Sequence, residues 1–311
     1  MKKRIISFIT AFSMAAMAHI PLPVLAADTA EPAVPQAALA ETYGELEYAV
    51  TGDGTVTITN CDRDVTSVDV PAEIGGMPVT AIGNSAFKYC DSLTEISLPD
   101  SVISIGSYAF EYCNSLTDII IPDSVTSIGE GTFCDCTSLI NIIIPDSVTS
   151  IGHSAFSGCD SLTDISIPDS VTSIGNWAFS GCDSLAGISI PDSVTSIGHD
   201  ALYNIALYND ESNWTDGVLY IDNYLIEARD DIERCDIKQG CLLIADRAFY
   251  GCESLTDIRL PAGVTSIGDK AFWYCESLTD ISIPDSVTSI GDSAFYNCES
   301  LTDIRLPTGV T

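Results

Sequence analysis

The sequence predicts a solenoid, a fold in which one short coil recurs and each coil stacks on the next. Eight cysteines recur at an interval of 23 residues in two series: Cys90, Cys113, Cys136, Cys159 and Cys182, then Cys252, Cys275 and Cys298. Prolines recur at the same interval, from Pro99 to Pro191 and from Pro261 to Pro307. A fixed period of this length is typical of stacked repeats. Such folds usually act through their exposed faces, so binding residues are expected there.

Each coil begins with a short strand. In a sample coil, residues 162–182 (LTDISIPDSVTSIGNWAFSGC), Ile165 and Ile167 alternate with polar residues. Alternate side chains share a face in a strand, so the two isoleucines point inward while Asp164 points outward. Pro168 cannot donate a hydrogen bond to a strand ladder and therefore ends the strand.

The second half of each coil returns to the core. In the sample coil, Val171 and Ile174 point inward, and Ala178, Phe179 and Cys182 have the spacing of one helical turn with a single buried side. One coil cannot bury these apolar groups alone. Stacked neighbours close the core, with strands about 4.8 Å apart.

The complete repeat unit is L-x-x-I-x-I-P-x-x-V-x-x-I-G-x-x-A-F-x-x-C, which recurs in one phase from about Val79 to Thr311 with one interruption. It resembles the BspA-like class of bacterial leucine-rich repeats. The resemblance implies a right-handed, curved leucine-rich repeat solenoid with parallel strands and short helical turns. It also implies a secreted or cell-surface protein involved in adhesion or host contact, and it brings no catalytic residues.

The N-terminus has the pattern of an exported protein. Residues 1–26 combine a basic start, an apolar stretch too short to span a bilayer and short side chains before the expected cleavage site, which predicts a signal peptide. Residues 27–42 are rich in Ala, Pro and Glu without periodicity, which predicts a flexible linker. We expect a mature chain that is secreted or held at the cell surface of a bacterium, without membrane insertion.

Residues 43–78 are predicted to form an N-terminal β cap and an imperfect first coil. Two alternating segments, residues 46–50 and 55–59, flank Gly52, Asp53 and Gly54, which is a hairpin signal. The terminal unit of a solenoid must cover the open end of its core, and this hairpin is expected to do so.

Leucine-rich repeats are predicted over residues 79–199 and 237–311, separated by a hairpin insertion over residues 200–236. Within the insertion, two apolar runs flank Asp222 and Asn223, which predicts a β-hairpin. The insertion either builds a binding surface or redirects the solenoid. The last coil ends before its Ser-Ile-Gly, so we expect the sequence to be truncated there.

Charge and motifs restrict the possible functions. The chain has 12 Lys+Arg against 44 Asp+Glu, a formal net charge of −32, which disfavours nucleic acid as a partner. No zinc-type cysteine pairs, G-x-S-x-G, H-E-x-x-H or glycine-rich phosphate loop occurs, so we expect no metal, cofactor or catalytic site. Most of the twelve cysteines share one packing position, which predicts buried free thiols.

The candidate binding residues are the outward side chains of neighbouring strands: Asp118, Ile120, Asn141, Ile143 and Asp164. Exposed aliphatic side chains beside carboxylates predict a docking patch for a protein. We therefore expect a non-catalytic, monomeric scaffold that binds a host or bacterial surface protein.

Two other functions remain open from the sequence. One is a carbohydrate-binding or cellulosome-associated module, which the small number of aromatic residues on the strands disfavours. The other is the repeat region of a larger hydrolase whose catalytic domain lies beyond residue 311.

Overall fold

The protein, described here from a computed structural model, is a β-solenoid of about 11 turns with parallel strands and almost no helix. The structure describes residues 41–302 and 304–310. The predicted signal peptide and residues 27–40 of the predicted linker lie outside this range. The linker was expected to reach residue 42, whereas the first strand already begins at Glu41.

The elements follow one another in a regular order. The N-terminal cap contains β1 (Glu41–Tyr43), β2 (Leu46–Val50), β3 (Val56–Cys61), β4 (Ser67–Asp69), β5 (Glu73–Ile74) and β6 (Met77–Ile82). The first array contains β7 (Glu95–Ser97), β8 (Ser104–Ile105), β9 (Asp118–Ile120), β10 (Ser127–Ile128), β11 (Asn141–Ile143), β12 (Ser150–Ile151), β13 (Asp164–Ser166), β14 (Ser173–Ile174), β15 (Gly187–Ser189) and β16 (Ser196–Ile197). The insertion contains α1 (Ala206–Asn209), a 3-10 helix (Glu211–Asn213), β17 (Trp214–Thr215), β18 (Val218–Ile221) and β19 (Tyr224–Ala228). The second array contains β20 (Arg234–Asp236), β21 (Leu243–Ile244), β22 (Asp257–Arg259), β23 (Ser266–Ile267), β24 (Asp280–Ser282), β25 (Ser289–Ile290) and β26 (Ile304–Arg305).

Two rows of parallel strands run along the solenoid. The first row consists of the three-residue strands that begin each coil, such as β9 with β11 and β20 with β22. The second row consists of two-residue strands, which are Ser-Ile in β10, β12, β14 and β16 and Leu-Ile in β21. We call the outward side of the first row the strand face. The parallel solenoid predicted from the 23-residue period is confirmed.

The remaining side of each coil, from Ile-Gly to the repeat cysteine, forms what we call the turn edge. The helical turn predicted here is wrong. In the sample coil, Trp177 and Gly181 adopt left-handed conformations with φ of 52° and 73°. The N–H of Ala178 bonds to Gly175 O in its own coil, whereas the N–H of Phe179 bonds to Ala201 O in the next coil. The backbone N–H groups of the turn edge thus alternate between hydrogen bonds that close a turn within one coil and hydrogen bonds to the next coil. These bonds satisfy the N–H groups without a helix.

The core repeats with the coils. Phe87, Phe110, Phe133, Phe156 and Phe179 stack with ring centroids 5.2 to 5.5 Å apart. None of the twelve cysteines, all of which lie in the described residues, forms a disulfide, and ten are buried. The thiol of Cys136, for example, donates to the Phe110 carbonyl oxygen of the preceding coil at 3.1 Å. The prediction of buried free thiols is confirmed.

Both predicted hairpins are present, and they share one topology. At the N-terminus, β1, β2 and β3 are antiparallel, and β3 then pairs in parallel with β6. In the insertion, β17, β18 and β19 are antiparallel, and β19 then pairs in parallel with β21. The insertion therefore repeats the architecture of the N-terminal cap.

The insertion is narrower than residues 200–236. Ala201 and Leu202 still occupy the Ala-Phe positions of the turn edge, since Ala201 O accepts from Phe179 N. At the other end, β20 already pairs in register with β22.

Among the described residues, no helix has both the length and the apolar character to cross a bilayer.

Candidate functional site

The predicted site residues lie on adjacent strands of the strand face. Strands β9 and β11 pair in parallel, which places Asp118 beside Asn141 and Ile120 beside Ile143. Side chains alternate along a strand, so Ile119, which lies between Asp118 and Ile120, is buried. Ile120 and Ile143 point to solvent. Four of the five predicted residues are therefore neighbours.

The fifth predicted residue, Asp164, is exposed on β13, the next strand of the row. Its register partner on β15 is Gly187. A Cβ at residue 187 would lie 2.7 Å from Asp164 Oδ1, so the glycine leaves room for the carboxylate. Asp164 thus marks one border of the patch.

Sequence reasoning missed Ile140 as a member of this patch. Ile140 directly precedes β11 and is 44% exposed. Corresponding positions in neighbouring coils hold Thr117 and Thr163, so the replacement of threonine by isoleucine was the available signal. Ile120, Ile140 and Ile143 form what we call the isoleucine patch.

The surroundings of the isoleucine patch are acidic. Thr117 Oγ1 donates to Asp118 Oδ2 at 3.0 Å, which orients that carboxylate beside the patch. Residues 89–228 contain no lysine or arginine, although every coil there carries Asp or Glu. The strand face of the first array therefore presents apolar side chains in a field of uncompensated negative charge.

The second array has a different strand face. Arg234, Arg259 and Arg305 take outward positions there, and Arg234 lies in register with Asp257. Arg259 Nε lies 3.7 Å from Asp236 Oδ1. Cations and carboxylates alternate on this face, so the isoleucine patch has no counterpart on it.

The described residues show no centre suited to metal chemistry. Within this part of the chain, no group of three or more His, Cys, Asp or Glu side chains is placed to hold a metal ion. The geometry of the strand face supports binding through apolar contact and charge.

Solved structures of bacterial proteins resemble this chain. A leucine-rich repeat protein from Bacteroides ovatus is 30% identical, with a TM-score of 0.51 over 87% of this chain and 83% of that one. A leucine rich cell surface protein from Faecalibacterium prausnitzii is 30% identical, with a TM-score of 0.47 over 89% of this chain and 90% of that one. A leucine rich repeat protein from T. pallidum is 27% identical, with a TM-score of 0.43 over 85% and 92%.

A comparison with curated proteins found no match. The family model of the BspA type leucine rich repeat region matches six copies, over residues 80–209 and 219–311. The gap between the two matched segments, residues 210–218, falls inside the insertion. The resemblance seen in the repeat unit is confirmed, and the chain belongs to the BspA-type leucine-rich repeat family.

Proposed function

We propose that this protein is a secreted or surface-exposed, non-catalytic scaffold that binds another protein through the strand face of its first array. The observation that carries the proposal is the exposure of Ile120 and Ile143, at 79% and 78%. These are the highest values for large apolar side chains among the described residues. Removing apolar surface from water yields roughly 25 cal/mol per Å², so this pair is the natural centre of an interface.

The charge around the isoleucine patch restricts the chemistry of the partner. Asp118 and Asp164 flank the patch, and the array that carries them has no lysine or arginine. Opposite charges steer two proteins together and set their register. The partner is therefore a protein of the host or bacterial surface with an apolar contact surrounded by basic residues.

The predicted export signal supports the same proposal. The pattern of residues 1–26 predicts a signal peptide, which would bring the scaffold into contact with such partners. From β7 to β15, the outward residues of the strand face vary between coils while the inward positions stay Ile or Leu, as expected for a constant scaffold with a variable surface.

The test is a double substitution, Ile120→Asp with Ile143→Asp, in the full chain. Binding to immobilised host and bacterial surface protein extracts should be lost, because two carboxylates would replace the apolar centre of the contact. The melting temperature should stay within a few degrees of wild type, since both side chains are already in water.

Ile103→Asp is the matched control. Ile103 is 57% exposed but lies outside the first row of strands. This variant should bind like wild type. Full binding by a folded double variant, or equal loss in the control, would remove the isoleucine patch from the function.

A further inference from the structure

The insertion builds two adjoining clefts on the turn edge, away from the strand face. The larger has a volume of about 540 Å³ and is lined by Tyr208, Trp214, Glu227, Arg229 and Asp230, among others. This volume is within the roughly 300 to 1,000 Å³ that is usual for ligand sites. The smaller has a volume of about 220 Å³. Glu227, Ala228 and Asp230 line both clefts, so the two form a continuous depression.

Two groups of aromatic side chains line this depression. Tyr203, Tyr208 and Trp214 pack edge to face, with ring centroids 5.2 and 5.4 Å apart. Tyr250, which lines the smaller cleft together with Tyr203, is 46% exposed, and its ring centroid lies 6.5 Å from that of Trp273 in a stacked arrangement. A ligand in the clefts would therefore contact aromatic rings from both groups.

The polar groups are held in place by the structure itself. Trp214 Nε1 donates to Tyr208 O at 2.9 Å, and Tyr208 Oη donates to Glu227 Oε1 at 3.2 Å. The guanidinium of Arg229 pairs with Glu211 and lies 4.5 Å from the centre of the Trp214 ring. A site whose side chains are already fixed loses little entropy when a ligand binds.

Hydrogen-bond donors and acceptors both line the depression. Arg229, Arg247 and Asn209 offer N–H donors, whereas Glu227 and Asp230 offer carboxylate oxygens. Burial raises the pKa of Glu227 to about 7, against the effect of the Tyr208 hydrogen bond. Its carboxyl group is therefore able to donate as well as accept near neutral pH. Hydroxyl groups, which both donate and accept, match such a lining.

We propose that the two clefts form one binding site for a neutral oligosaccharide. Aromatic rings pack on the apolar faces of sugar rings, while carboxylates and guanidinium groups bond the hydroxyls. An anionic sugar is disfavoured, because Glu227 and Asp230 form no ion pair among the described residues and the chain carries a net charge of −32. The site is independent of the protein-binding strand face.

The experiment is a screen of the full chain against neutral glucan, mannan, xylan and galactan oligosaccharides, followed by calorimetric titration with the tightest binder. Polygalacturonate and polylysine serve as anionic and cationic probes. Wild type should bind a neutral oligosaccharide and neither charged polymer. Tyr250→Ala should weaken that binding about ten-fold, since it removes an exposed aromatic ring from the lining of the smaller cleft.

Tyr89→Ala is the matched control, because Tyr89 is a 42% exposed tyrosine of the turn edge that lies outside both clefts. It should bind the sugar like wild type, as should the strand-face double variant. Asp230→Asn, at an exposed carboxylate, gives a second variant that should fold and bind more weakly. Binding of no neutral sugar, binding of a charged polymer alone, or equal loss in Tyr89→Ala would overturn the proposal.

Discussion

The N-terminal hairpin and the inserted hairpin have the same strand order, but their turns make different contacts. In the N-terminal turn, Asp53 accepts hydrogen bonds from Thr51 and Thr55, so the turn is satisfied within itself. In the inserted turn, Asp222 Oδ2 accepts from Ile190 N at 2.7 Å. Tyr224 Oη donates to Pro191 O at 2.6 Å. The inserted hairpin thus fastens itself to the last coil of the first array.

The difference shows that the same three-stranded antiparallel unit has two roles in this chain. At the N-terminus, the unit covers the open end of the solenoid core. In the middle of the chain, it begins the second array. The second row of strands ends at β16 and restarts through β17, β18 and β19. The stack of phenylalanine rings also breaks there, because Leu202 takes the position between Phe179 and Phe249. We call this place the joint.

The largest effect is expected at the ring that borders the joint. Phe179 is fully buried, and Phe179→Ala should lower the free energy of unfolding by roughly 3–5 kcal/mol in urea denaturation. Asp164→Ala, on the strand face of the same coil, should change it by less than about 0.5 kcal/mol. Equal losses in the two variants would mean that the inward and outward faces are reversed.

Glu227 predicts a pH dependence that belongs to the joint alone. By strand register, its counterpart in the N-terminal cap is the uncharged Asn60. The pKa of Glu227 is raised from 4.5 to about 7 by burial, so the folded state favours the protonated form. Its contribution to stability is therefore fully present below pH 4.5 and is lost as the pH rises through 7.

Glu227→Gln removes this titration. Its stability relative to wild type should rise between pH 4.5 and pH 8 by about 3 kcal/mol, measured by urea denaturation at several pH values. Tyr208→Phe should move the midpoint of the wild-type pH effect upward, because it removes a hydrogen bond that favours the charged carboxylate. If the free energies of unfolding of Glu227→Gln and wild type differ by the same amount at every pH, this account is contradicted.

A smaller effect is expected from the bond that fastens the inserted hairpin. Tyr224→Phe leaves the carbonyl oxygens of Pro191 and Val194 without their hydroxyl partner and should cost about 1–2 kcal/mol. Thr57→Val changes the matching position of the N-terminal hairpin, where no neighbouring array has to be held, and should cost less than about 0.5 kcal/mol. If both substitutions have the same cost in denaturant melts, the two hairpins do not differ in the proposed way.

The 23-residue period was sufficient to predict the parallel strands, the inward isoleucines and the buried cysteines, because each depends only on spacing. The turn edge could not be predicted in the same way. Ala178, Phe179 and Cys182 have a spacing that fits one helical turn, and the left-handed conformation of Trp177 has no signature in its residue type. The contact of Tyr224 with Pro191 joins two segments outside the repeat phase.

The candidate sites also differ in whether repeat spacing alone could predict them. Exposure of Ile120 and Ile143 follows from simple alternation along a strand, so the sequence was enough to find them. The insertion was one of the places where the sequence left a binding surface open, but its clefts could not be located, because the path of the inserted chain decides where Tyr203, Trp214 and Tyr250 line them. The prediction considered aromatic residues on the strands alone, whereas these three lie outside the strand face.

The joint is tested most directly by hydrogen exchange of the full chain under native conditions, followed by mass spectrometry. We expect two cooperative units, residues 79–205 and residues 214–310, each exchanging in its own step. Peptides that contain Ile190 and Asp222 should be less protected than the centres of both arrays. A single smooth gradient, with the joint among the most protected segments, would contradict the view that the inserted hairpin begins a second array.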